Sequence, residues 1–175
     1  MKLIWFISYN LIFYPLIFVI GLIFSLFNSK FRQGVSGRFI SQSVLKKFFN
    51  SIPNTADIYW FHAASLGEFY QVKPVLEGLK NVEPECVAIV SFSSPSGYDN
   101  AKSDDIDLRI YMPFDFLWSV RRALKITRPK KVIFASYDIW PNMVWIAEKR
   151  NIHTNIFAAR LKEGSLKLKL GFFSF

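Results

Sequence analysis

Glu68 closes the run Ser65-Leu66-Gly67-Glu68, at the point where an apolar stretch gives way to a helical pattern. At the first turn of a helix, the macrodipole and free N–H groups hold a carboxylate ionised, and an ionised carboxylate can take a proton from a hydroxyl. The same four residues fit a capping box with Ser65 as N-cap, so Glu68 is equally placed to close its own helix start. Gly67 inside that box either lets a ligand approach the backbone or answers a packing need. A second helix start, Ser94-Pro95-Ser96-Gly97, offers the Ser94 and Ser96 hydroxyls and the N–H groups around Gly97 to a phosphate or a sugar hydroxyl. A Ser cap followed by Pro is also an ordinary way to begin a helix. Asp138 and Trp140 would suit a sugar ring with an acid and an aromatic face, Trp140 being as well suited to a core. Arg160 could meet an anion or lie on the surface. His62 and His153 have no partner spacing that suggests a metal and read as structural, and Cys86 is alone. No G-x-G-x-x-G, Walker lysine pattern or H-E-x-x-H occurs, so dinucleotide, P-loop and zincin chemistry lack their residues.

These residues sit in the turns of a repeated strand-and-helix pattern. Apolar runs at 58–61, 87–90, 108–112, 132–134 and 155–157 alternate with helical patterns at 66–80, 96–102, 116–126 and 141–149. Five strands so alternated predict a parallel sheet covered on both faces, an α/β Rossmann-like domain. Ligands of such sheets sit beyond the carboxyl ends of the strands, the edge that carries every candidate above.

Leu3 to Phe27 has no charged side chain and is long enough to cross a hydrocarbon core of roughly 30 Å. A secretory signal has a shorter apolar core and a small-residue cleavage site, whereas this run ends Ser25-Leu26-Phe27-Asn28. We read residues 1–28 as a membrane anchor that spans, with Asn10 and Pro15 leaving an in-plane or tilted seat as the alternative. Residues 29–56 form a basic interfacial segment holding Lys30, Arg32, Arg38, Lys46 and Lys47, which would keep the domain of residues 57–175 on the cytoplasmic side. Within it, Val44 to Phe49 mixes lysines with apolar residues as a helix lying at lipid headgroups would, or as a solvated face would. The chain carries 22 Lys+Arg against 13 Asp+Glu, a formal charge of +9 that calls for an anionic partner. Because this charge gathers beside the apolar run and no nucleic-acid motif accompanies it, membrane lipids are expected and nucleic acid is not. With 51% hydrophobic residues the chain is no disordered segment.

Taken together, the turns resemble the 3-deoxy-D-manno-octulosonic acid (Kdo) transferases of lipopolysaccharide assembly. The resemblance rests on the N-terminal anchor, Phe31-Arg32-Gln33-Gly34 with Gly37-Arg38, and the S-x-G-E turn at Ser65 to Glu68. It continues through Ser94-Pro95-Ser96-Gly97, Tyr111-Met112-Pro113-Phe114-Asp115, Trp140-Pro141-Asn142 and Ala159-Arg160-Leu161. It implies the N-terminal half of a glycosyltransferase B architecture at the inner (cytoplasmic) membrane, inverting and needing no cofactor or metal. It further implies that this half binds a lipid A precursor, that Glu68 is the base activating the acceptor hydroxyl, and that CMP-Kdo is held by a C-terminal domain absent from this chain. Substrate contacts would fall on Ser65, Gly67, Ser94, Ser96, Gly97, Asp138, Trp140 and Arg160.

One departure is Ser136, where many members carry an acid that helps stabilise the transition state; Asp138 keeps the second acid in shortened form. The other is the expected loss of the donor domain. The chain therefore reads as the acceptor half of a Kdo transferase, transferring Kdo from CMP-Kdo to a lipid A precursor. Its alternative is a catalytically inactive, membrane-anchored acceptor-binding fragment or half of a split enzyme that a complementary polypeptide would complete. The apolar tail of Leu166, Leu168, Leu170, Phe172, Phe173 and Phe175, alternating with Lys167 and Lys169, is expected to need a partner or a membrane and to make the chain poorly soluble alone.

Overall fold

The computed structural model describes residues 2–159. Arg160 and the apolar tail lie outside the described residues. Five strands, β1 (Ile58–Ala63), β2 (Val87–Phe92), β3 (Leu108–Tyr111), β4 (Lys131–Ala135) and β5 (His153–Phe157), form one parallel sheet in the order β3-β2-β1-β4-β5. The expected strands are all present; β1, β2 and β5 are two residues longer at one end, β4 is one residue longer at each end, and β3 stops one residue short at Tyr111. All six residues of β1 are buried, as the centre of a doubly covered sheet demands. Strand alternation divides the core in two. Ile58 and Trp60 face a cluster with Leu124, Met143 and Ile146, whereas Tyr59, Phe61 and Ala63 face Phe69, Val72 and Leu76.

Among the described residues, seven α-helices accompany the sheet. The first three precede it: α1 (Lys2–Ser8), continued through a π turn at Tyr9–Phe13 into α2 (Tyr14–Phe27), then α3 (Ser29–Phe49). The others are α4 (Leu66–Val82), α5 (Pro95–Asn100), α6 (Leu117–Thr127) and α7 (Pro141–Lys149). Strand order reverses at β1, between crossovers leading to β2 on one side and β4 on the other. Crevices at such switch points, outside the carboxyl ends of the strands, are where open α/β sheets bind ligands.

Leu3–Phe27 is the one stretch among the described residues long and apolar enough to cross a membrane. It does not stand clear of the domain. The π turn inserts an extra residue and aims Tyr9, Asn10 and Tyr14 inward. There the Tyr9 hydroxyl donates to Asp115 Oδ2 (2.8 Å), Asn10 and Asn142 exchange amide hydrogen bonds (2.8 and 3.1 Å), and the Asp115 N–H donates to the Tyr14 hydroxyl (2.5 Å). Phe6 meets Trp145 edge-on, and Phe18 meets Phe114 and Phe116. Leu3, Ile7, Leu11, Leu16, Ile20 and Phe24 point outward and are exposed.

α3 folds back beside α2, with Phe24 packed on Phe31 and Phe18 on Phe39. Its inward positions Gly34, Gly37, Ser41, Leu45 and Phe49 recur at helical spacing and are buried. A Cβ at Gly37 would lie 2.0 Å from the Tyr111 ring, so a glycine is required where α3 crosses the end of β3. The apolar face expected at lipid headgroups over Val44–Phe49 is taken up by the sheet. Leu45 and Phe49 belong to the core, and only Lys46 and Lys47 of that stretch's charge face solvent. The physical reason is that Leu45 and Phe49 leave water by joining Ile58, Trp60, Ile89 and Val132 in the core cluster that α6 and α7 share.

Candidate active site at the sheet switch point

The turn after β1 places Glu68 at the third position of α4. Ser65 caps the helix by accepting from the Glu68 N–H (3.3 Å), and Glu68 Oε2 accepts from the Ala64 N–H (2.5 Å). The capping interaction is therefore formed, reaching one residue further back than in a standard box. It also locks the carboxylate at the ligand edge, half-buried. Burial and the Asp138 charge raise the Glu68 carboxyl above its ordinary value, partly offset by the Ala64 N–H and His62. A carboxylate so raised is a stronger base than an exposed one.

Gly67 is exposed, and a Cβ there would meet only Ser65 Oγ at 3.8 Å. Packing therefore does not require this glycine. Gly97 is the opposite case. A Cβ there would come within 2.6 Å of Phe92 and 3.2 Å of the Ser65 backbone, so Gly97 lets α5 pack against the start of α4. Ser94 caps α5 by accepting from the Gly97 N–H (3.2 Å), and the Ser96 hydroxyl lies 3.2 Å from that of Ser94. Ser94 and Gly97 are thus committed to the helix start that brings Ser96 to the edge.

Beyond β4, Asp138 anchors a polar cluster with His62, Ser93, Arg38 and Trp140. His62, fully buried at the end of β1, places Nε2 2.9 Å from Asp138 Oδ2. Its Nδ1 lies 2.9 Å from Ser91 Oγ and 3.1 Å from the Ser91 carbonyl. Nδ1 thus faces the two Ser91 oxygens, and Nε2 faces both the Asp138 carboxylate and the Trp140 indole N–H. Ser93 donates to the same Asp138 oxygen (2.7 Å), and Arg38 of α3 donates to Ser93 Oγ (3.2 Å) while stacking 4.7 Å over the Trp140 ring. Trp140 also meets Tyr14 edge-on, with its indole N–H 3.3 Å from His62. It serves the site wall and the packing at once. Burial alone would raise the Asp138 carboxyl, but the His62 hydrogen bond and charge, the Ser93 hydroxyl and Arg38 outweigh it and bring it down to about 2.

A carboxyl held below its unfolded value adds stability above that value and loses it on acidification. We expect Asp138→Asn to destabilise the chain by on the order of 2 kcal/mol at pH 7. The gap to wild type should close as pH falls from about 4 toward 2, as read by thermal unfolding across pH. A gap independent of pH over that range would remove the ionised carboxylate from the account.

The structure brings Ser65, Gly67, Glu68, Ser94, Ser96, Gly97, Asp138 and Trp140 to one edge. Ser136 adopts a left-handed backbone (φ 61°), and its hydroxyl donates to Gln71 (3.3 Å) instead of presenting an acid. Among the described residues no group of three or more His, Cys, Asp and Glu could hold a metal ion. Beside them stand His62, which the sequence reads as structural, Arg38 and Asp115, which enter there only through the basic segment and the motifs of the resemblance, and Ser93, which has no role there. The Asp115 carboxylate is fully buried and accepts from the Asn142 N–H (2.9 Å) and the Met143 N–H (3.1 Å), capping α7 as well as holding Tyr9.

The chain is similar in sequence to known proteins. The family model described as 3-Deoxy-D-manno-octulosonic-acid transferase (kdotransferase) matches residues 35–174. The 3-deoxy-D-manno-octulosonic acid transferase of Aquifex aeolicus is 33% identical over 131 residues, which is 73% of this chain and 35% of that protein. That of Haemophilus influenzae is 30% identical over 61% of this chain and 25% of its own length. A probable mitochondrial 3-deoxy-D-manno-octulosonic acid transferase of Arabidopsis thaliana is 26% identical over 63% of the chain and 25% of its own. The chain thus spans about a third or less of the relatives it matches. Matched by the family model over residues 35–174, the chain belongs to the 3-deoxy-D-manno-octulosonic-acid transferase family.

Proposed function

We propose that this chain is the acceptor-binding half of a Kdo transferase. Glu68 removes the proton from a hydroxyl of a lipid A precursor, and the freed oxygen attacks the anomeric carbon of Kdo as CMP leaves with the electron pair of the broken bond. CMP-Kdo is held by a domain corresponding to the remainder of the relatives, in the same or a complementary polypeptide. The observation that carries this reading is the seating of Glu68 at the switch point, with its carboxyl raised and the Asp138–His62 pair beside it. Asp138 and Arg38 position the acceptor, and Ser96 offers it a hydroxyl.

The docked N-terminal helix supports an in-plane seat on the cytoplasmic leaflet over a span. Its inner side is hydrogen-bonded to the domain at Tyr9, Asn10 and Tyr14, while its outer side is apolar and exposed. Such a seat would bring a lipid acceptor to the sheet edge without leaving the bilayer. The exposed Gly67 backbone would take the close approach of that acceptor. We expect Gly67→Ala to leave stability unchanged or raise it by up to about 1 kcal/mol, while weakening acceptor binding. Thermal unfolding and acceptor titration check the two halves of that expectation.

The test is transfer of Kdo from CMP-Kdo to a lipid A precursor by membranes carrying this chain. Transfer above that of membranes lacking the chain supports catalysis. Ser136, in place of an acid, favours a binding-only reading, for which precursor binding without transfer would be the result. Absence of precursor binding would reject both.

A further inference from the structure

The acceptor reading leaves open how a lipid would be gripped by a site whose described polar residues all lie at the sheet edge. Between α2, α3 and that edge lies a cavity of about 460 Å³. Sites for small ligands run from roughly 300 to 1,000 Å³. Its walls are apolar, built by Phe18 and Leu22 from α2, Phe31 and Val35 from α3, and Phe114 from the loop after β3. One end is polar, where Arg38, Ser93 and Ser94 enter the lining beside Trp140. From Lys30 to Arg38, both lining residues, the cavity follows α3 for about 12 Å at 1.5 Å per residue. Ile17 also lines it, yet is 57% exposed on the outward apolar face of α2, so the cavity communicates with the surface that would meet lipid.

We propose that this cavity holds one acyl chain of the acceptor, entered from the lipid side, with a phosphate of the acceptor's headgroup drawn to Arg38. The inference rests on the acceptor reading and adds to it the part of the substrate that the sheet edge cannot bind. Charge and shape argue for an amphiphile over a wholly apolar guest. A planar guanidinium is the side chain best suited to phosphate, and Lys30 makes the rest of the lining more cationic. An acyl chain, in turn, gives the five apolar walls a partner that a soluble phosphosugar would not. The distance between the two features is short enough for one molecule to use both.

The test uses the full chain in phosphatidylcholine nanodiscs. It titrates a tetraacylated, bisphosphorylated glucosamine disaccharide against the same disaccharide without acyl chains. Val35→Phe and Leu22→Trp fill the cavity from opposite walls. Each is expected to weaken binding of the acylated probe by about tenfold or more, the loss that follows when roughly two methylenes no longer leave water. Binding of the deacylated probe should be unchanged, which also reports that the variant is folded. Arg38→Met should weaken both probes. Wild-type binding of both probes with neither filling variant affecting the acylated one would overturn the acyl site while leaving the acceptor reading intact. Equal displacement of the acylated probe by phosphatidic acid would overturn it in favour of general lipid occupancy. Failure of the wild type to bind either probe would reject the acceptor reading itself, and the acyl site with it.

Discussion

Glu68→Gln is expected to reduce Kdo transfer by about one hundred- to ten-thousandfold, the range over which positioned general bases contribute. Acceptor binding should persist. Glutamine keeps the size of the side chain and an oxygen that can accept from the Ala64 N–H, so the helix start survives and only basicity is lost. Glu68→Ala removes both functions, and should add a stability loss of about 1 kcal/mol to the same loss of transfer. The pair of variants separates the two roles one carboxylate can play at a helix N-terminus. If Glu68 only capped α4, the glutamine variant would keep its activity and the alanine variant would lose stability first. Because the base must be ionised, transfer should rise with pH through a midpoint above 4.5, the value from which burial and Asp138 displace the carboxyl upward. Wild-type transfer measured from pH 4 to 8 in membranes carrying the chain would locate that limb. A midpoint at or below the ordinary glutamate value would contradict a base in this environment.

The sheet was legible because its strands are short apolar runs bounded by turn residues, and a doubly covered parallel strand has no polar face to blur the pattern. β1 shows it best, with all six residues buried. The helix starts were legible for a related reason. Ser65, Ser94 and Pro141 signal where N–H groups need partners, and α4, α5 and α7 begin within a residue of where those signals place them. What local spacing could decide ended there. Whether Gly67 and Gly97 answer packing or a ligand depends on what faces them, and the structure gives opposite answers for two glycines that look alike in sequence.

The polar cluster was illegible because its members are far apart along the chain. His62 and Asp138 are separated by 76 residues, and Tyr9 and Asp115 by 106. A lone histidine carries no sign of such a partner. One signal was nonetheless available. His62 shares the strand face of Ile58 and Trp60 and sits at the carboxyl end of the central strand, so it is a polar residue aimed at the ligand edge from within a core pattern. Arg38 was hidden differently, as one of several basic residues after the apolar run. Charge counting treats these alike, whereas the fold turns Arg38 alone of Arg32, Arg38, Lys46 and Lys47 toward Ser93 and Trp140.

Asp115 ties the N-terminal helix, the sheet edge and α7 together, and its removal should be the most damaging single change to the fold. Asp115→Ala leaves the buried Asn142 and Met143 N–H groups and the Tyr9 hydroxyl without their acceptor. An orphaned buried donor costs about 1–3 kcal/mol, so two backbone groups and a hydroxyl bring the expected loss to on the order of 4 kcal/mol. That is a large fraction of the roughly 5–15 kcal/mol by which domains are stable. Tyr9→Phe removes only the hydroxyl and should cost about 1 kcal/mol, with α7 still capped. The difference between them isolates the cap from the latch on the membrane helix. Thermal unfolding of the full chain in nanodiscs reads the first. Chymotryptic cleavage after Phe13, protected while the π turn is docked, reads the second. Both variants should expose that site, but only Asp115→Ala should lower the unfolding midpoint by more than a few degrees. An alanine variant that unfolds with the wild type would mean the helix start is held by other contacts, and that this motif acid is retained for chemistry at the neighbouring edge instead of architecture.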